Sequence, residues 1–110
     1  KLTKQEAQID WRRSALVLHR KVRALNPNPI ATTTWNGEVL RLWDVGPMDP
    51  NAHAGEPPGT VVALVRDGIR IATGEGILTL QRLQAPGGKA LGAAEFANGR
   101  RLKPGDRFGA

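Results

Sequence analysis

The chemistry this chain offers most freely is positive charge, and the charge is unevenly placed. Residues 1 to 23 hold seven Lys or Arg against Glu6 and Asp10, a net of +5. Residues 38 to 75 hold Arg41, Arg66 and Arg70 against six acids, a net of −3. From residue 76 onward six basic side chains stand against Glu95 and Asp106, a net of +4. Two basic ends around an acidic middle make one cationic face if the termini lie close in space. Such a face draws polyanions by its long-range field and by release of condensed counterions. The competing reading is a surface merely made soluble by excess Lys and Arg.

Other reactive groups are sparse. His19 falls among basic residues and His53 in a loop-like stretch; neither has a second His or a carboxylate at metal-ligand spacing, so both read as surface histidines. Ser14 is the only serine and is better explained as a helix cap than as a nucleophile. Gly74-Glu75-Gly76 and Gly87-Gly88-Lys89 are too short and wrongly placed for a phosphate loop, which needs a longer glycine pattern opening a helix. The absence of Cys excludes disulfides and thiolate metal sites. Trp11, Trp35 and Trp43 could stack bases, but in a domain this small they more often fill core. Without Tyr, and with two Phe, the aromatic platform of a single-strand binder is thin. We expect no catalytic residue and no metal site in this chain.

The elements that must position these charges can be read along the chain. One hundred and ten residues, 40% of them hydrophobic, suffice for one domain with a modest core. No apolar run approaches the roughly 20 residues that span a bilayer, so the chain reads as a soluble domain without a membrane partner. Thr3-Lys4-Gln5-Glu6 fits a capping box, and Ser14 opens a clearer helix. On that helix Trp11, Ala15, Leu18, Val22 and Leu25 share an apolar side, while Arg12, Arg13, His19, Arg20 and Arg23 fan over another sector. Asn26-Pro27-Asn28-Pro29 ends it.

A β pattern then takes over. Asn36-Gly37 marks a two-residue hairpin between Thr32–Trp35 and a return strand over 38–45, on which Val39, Arg41, Trp43 and Val45 share one face. Residues 46–59 read as an irregular loop. Strands are expected over 60–66, 69–73 and 77–83, with a short helix over 93–97 before a polar exit. The expected fold is mainly β with an N-terminal helix, a small OB-like β-barrel.

Several of these segments together resemble the C-terminal domain of the methionyl-tRNA formyltransferases. Residues 1–11 look like the junction where the family's catalytic domain hands over to its C-terminal domain. Arg23-Ala24-Leu25-Asn26-Pro27 is similar to the family's helix end, and Pro57-Pro58-Gly59-Thr60-Val61-Val62 to the strand after its loop. Gly74 to Leu78, Gln84-Ala85-Pro86-Gly87-Gly88-Lys89-Ala90-Leu91 and Asn98-Gly99-Arg100-Arg101-Leu102 are the most specific part. Asn28 departs from the aromatic residue usual there.

The resemblance implies a basic connector over 1–10 and a tRNA-binding barrel over 11–110. It implies initiator tRNA as partner, in a bacterial or organellar cytoplasm. It also implies an N-terminal catalytic domain of the same polypeptide that binds 10-formyltetrahydrofolate; beginning at the connector suggests an excised domain. Lys1 and Lys4 would sit in the connector. Lys89, Arg100 and Arg101 are the leading candidates for phosphate contacts, with Arg12, Arg20, Arg23 and Arg41 behind them. Two rivals remain: a structural barrel from another folate-dependent formyltransferase, and a free-standing OB-like module for single strands or oligosaccharides.

Overall fold

Local capping chemistry starts the chain. A computed structural model describes residues 3–109. The Thr3 hydroxyl accepts from the Glu6 amide at 3.2 Å, and the Glu6 carboxylate accepts from the Thr3 amide at 2.9 Å. This capping box opens α1 (Lys4–Ala7). Ser14 caps α2 (Ala15–Leu25) by accepting from the Val17 amide at 3.2 Å. The expected apolar side of α2 is the buried one, with Trp11, Ala15, Leu18, Val22 and Leu25 all in the core. Past the helix, the Asn26 side-chain amide donates to the Trp43 carbonyl at 2.8 Å and fastens the helix end to the sheet.

The strands are β1 (Ala31–Trp35), β2 (Glu38–Val45), β3 (Val61–Val65), β4 (Gly68–Ala72), β5 (Ile77–Gln84) and the short β6 (Leu91–Gly92). These strands pair antiparallel with one another, in the order β1-β2-β5-β4-β3, with β6 paired to β5. Asn36 and Gly37 both have positive φ, 52° and 81°, as a tight β1–β2 turn requires. β2 turns Leu40 and Leu42 inward and leaves Val39 and Arg41 outside. Its alternation does not run unbroken to Val45, because the register with β5 shifts on both sides of Asp44. The bulge is set by pairing to a strand distant in sequence, which a period-two pattern cannot reveal.

The strands do not close a barrel by themselves. No β1–β3 pairing occurs among the described residues, and the last segment of the chain lies across that gap. Val61 exchanges backbone bonds with Gly105 and Asp106, at 2.9 and 2.7 Å. The Phe108 amide donates to the Gly59 carbonyl at 2.8 Å, and the Gly109 amide to the Thr34 carbonyl at 2.7 Å. Phe108 is fully buried between Trp11 and Trp35, its ring centroid 6.3 and 6.2 Å from theirs. The expected polar exit is therefore corrected: Leu102 and Phe108 belong to the core. The last helix, α3 (Ala93–Arg100), also runs past residue 97, so Arg100 is its final residue rather than part of an exit.

Candidate nucleic-acid interface

The outward face of β2 and the loop after β5 build a cationic surface. Arg41 leaves the sheet on the same side as Val39, which is 53% exposed, and it stands opposite Gln84 on β5. Gln84 braces the loop that leaves this strand. Its side-chain oxygen accepts from the Trp43 indole at 2.9 Å, and its amide donates to the Gly88 carbonyl at 2.7 Å. Gly87 turns the loop with φ 74°, and the Gly88 amide returns to the Ala85 carbonyl at 3.1 Å. Residues 85–89 thereby form a braced ridge rather than a floppy glycine loop.

A cleft lies on each side of this ridge. One, of about 530 Å³, is lined by Lys4, Val39, Arg41, Gln84 and the start of the ridge. The other, of about 320 Å³, is lined by Lys89, Glu95, Phe96, Arg100 and the ridge's Gly88. Lys4, Arg41, Lys89 and Arg100, far apart in sequence, are brought around one loop. The braces leave no mark in the sequence. Gln84 reads there as an ordinary polar residue at a strand end, and only its bonds to Trp43 and Gly88 give it this role.

The other candidates lie elsewhere. Arg101 ends α3 in the left-handed region, φ 54°, and lines a separate groove of about 290 Å³ with Leu64 and Val65. Arg20 and Arg23 are exposed on α2, lining neither of the two clefts. Arg12 borders a third cleft, of about 400 Å³, together with Arg107, which sequence reasoning passed over. Lys1 lies outside the described residues.

Ion pairing grades these charges. Arg12 makes a two-pronged contact with Asp10, both bonds 3.0 Å, and Arg100 pairs with Glu38 while its guanidinium sits 5.4 Å over the Phe96 ring. Lys4, Arg20, Arg23, Arg41, Lys89 and Arg101 have no carboxylate partner among the described residues. The Arg12 side chain, and next its backbone N–H, hold Asp10 down to about 2 from an ordinary 3.8. Asp106 is lowered likewise by the Lys103 side chain and then its backbone amide. Among the described residues no group of three His, Cys, Asp or Glu could hold a metal, and no helix is long and apolar enough to cross a membrane. The arrangement offers exposed cations beside clefts, a surface that can hold a polyanion by charge and shape.

The profile of the formyl transferase C-terminal domain matches residues 1–101. Over 109 residues the chain is 46% identical to the methionyl-tRNA formyltransferase of Methylobacillus flagellatus, covering 99% of this chain and 34% of that protein. It is 50% identical over 101 residues to the methionyl-tRNA formyltransferase of Stenotrophomonas maltophilia, covering 92% of this chain and 32% of that one. The chain thus spans about a third of the length of the curated relatives it matches. Among solved structures, a variant of HypX from Aquifex aeolicus is similar with a TM-score of 0.77 and 19% identity, over 96% of this chain and 19% of that one. HypX in complex with tetrahydrofolic acid gives a TM-score of 0.71 at 20% identity, over 88% and 17%. At such identity the likeness is one of fold.

Proposed function

The chain belongs to the formyl transferase C-terminal domain family, and from that premise we propose that it is the tRNA-holding domain of a methionyl-tRNA formyltransferase. Its 46–50% identity, over 92–99% of this chain, to about a third of the length of proteins of that name is the observation that carries the reading. The cations gathered around the 85–89 ridge support it. Lys4, Arg41, Lys89 and Arg100 would neutralise backbone phosphates of initiator tRNA, with Lys1, Arg12, Arg20, Arg23 and Arg101 extending the contact. Structured RNA is gripped mainly through backbone charge and shape, so no base-specific contact is required of this domain.

The division of labour reflects the chemistry of the side chains. Formyl transfer from 10-formyltetrahydrofolate belongs to a catalytic domain elsewhere in the polypeptide, acting at translation initiation in the bacterial cytoplasm. The domain's contribution is to hold the tRNA so that its aminoacylated end reaches that catalytic domain. Labelled initiator tRNA, titrated against single-stranded DNA of equal length across a range of salt, tests this. A clear preference for the tRNA with a steep salt dependence is expected. Equal binding, a preference for the single strand, or no binding at low salt would overturn it.

A further inference from the structure

We propose that Glu38 is an internal competitor at this interface, an anion that occupies Arg100 until an RNA phosphate displaces it and so tunes how tightly the RNA is held. The inference rests on the tRNA-holding reading. Glu38 follows the Asn36-Gly37 turn and pairs in register with Trp35 across the hairpin. Trp35 packs edge-on against Phe96, centroids 6.3 Å apart, and the same Phe96 ring carries the Arg100 guanidinium at 5.4 Å. A hairpin tip and a helix end therefore aim the Glu38 carboxylate and the Arg100 guanidinium at each other. The pair is preformed by packing rather than by a chance meeting of two flexible chains.

Its exposure decides what it can do. The two side chains are 35% and 36% exposed, open enough for a ligand to reach and for the carboxylate to be released to water. A partly solvated pair of this kind is weak, so an incoming phosphate can exchange for the carboxylate without disturbing the fold. Lys89 lines the same cleft as Arg100 and offers an incoming RNA a second cation there. The exchange taxes RNA binding, which suits a module that must release its RNA after each turnover.

The test compares the unchanged chain with Glu38→Gln, Arg100→Ala and the double variant, each titrated with labelled initiator tRNA at fixed low salt. Glu38→Gln should bind about two- to fivefold tighter, the range a partly exposed ion pair allows. That gain should vanish when Arg100 is already Ala. If Glu38→Gln matches the unchanged chain while both bind tRNA, the competitor role is wrong and the tRNA reading stands. A gain that persists in the Arg100→Ala background would reduce Glu38 to a general surface charge, again overturning the proposal. If none of the four proteins binds tRNA at low salt, the tRNA reading fails and the competitor role falls with it.

Discussion

Arg12 and Arg41 bear the same charge in very different surroundings. The Arg12 side chain is 83% exposed, yet its guanidinium is held by Asp10 through two bonds. Arg41 has no carboxylate partner among the described residues and stands on a sheet that holds its position. Arg41→Ala and Lys89→Ala should each weaken tRNA binding and flatten the slope of log K against log salt by roughly 0.7 to 0.9, the effect of leaving one phosphate with its counterion. Arg12→Ala should do less, because Arg12 borders a different cleft, away from the 85–89 ridge. Binding isotherms at four or five salt concentrations separate these outcomes. The carboxylates set an acid limit at the same scale. Asp106 is held below its ordinary value by Lys103, so it stabilises the fold above its unfolded pKa, and that stability is lost as pH falls through the depressed value. Asp10 behaves alike, its contribution fading from about 4 toward about 2. Asp106→Asn should therefore lower the Tm at pH 7 and converge with the unchanged chain near the acid end of a melting series.

Elements whose causes are local are legible in the residue types alone. Thr3 and Glu6 cap α1, Ser14 caps α2, and Asn36-Gly37 closes the first hairpin, each as its side chains demand. Ser14→Ala should accordingly cost about 1 kcal/mol, read from chemical denaturation. Elements whose causes are distant are not legible in this way. The bulge at Asp44 answers to β5, and β6 exists only because Leu91 and Gly92 find Leu83 and Arg82. The basic candidates divide in the same way. Their charges are plain in the sequence, but nothing in the spacing of Lys4, Arg41, Lys89 and Arg100 says that one braced ridge would gather them. Gly59 joins the two kinds of cause. With φ +94°, and with an added Cβ landing 2.3 Å from the Phe108 carbonyl oxygen, it permits the closing segment to approach. Gly59→Ala should destabilise by about 1–3 kcal/mol through strain, more if the segment is displaced.

At the scale of the whole molecule, the closing segment decides whether six short strands make one core. The family match ends at residue 101, yet the segment from Gly105 to Gly109 bonds β3 on one side and β1 on the other. Phe108 is its anchor, fully buried against Trp11 and Trp35 while Trp35 also meets Phe96 on α3. Removing that ring leaves a cavity where α3, β1 and the residues leading into α2 converge. Phe108→Ala should thus cost about 3–5 kcal/mol, a large share of the roughly 5–15 kcal/mol typical of such a domain. For a domain of this size the Tm should fall by on the order of 15 °C. The ridge at 85–89 is braced through Gln84 and Trp43 instead, with no bond to the closing segment among the described residues. Well below its lowered Tm, the Phe108→Ala chain should therefore hold tRNA with nearly unchanged affinity. A parallel loss of affinity in the still-folded variant would mean that barrel closure itself shapes the cationic face.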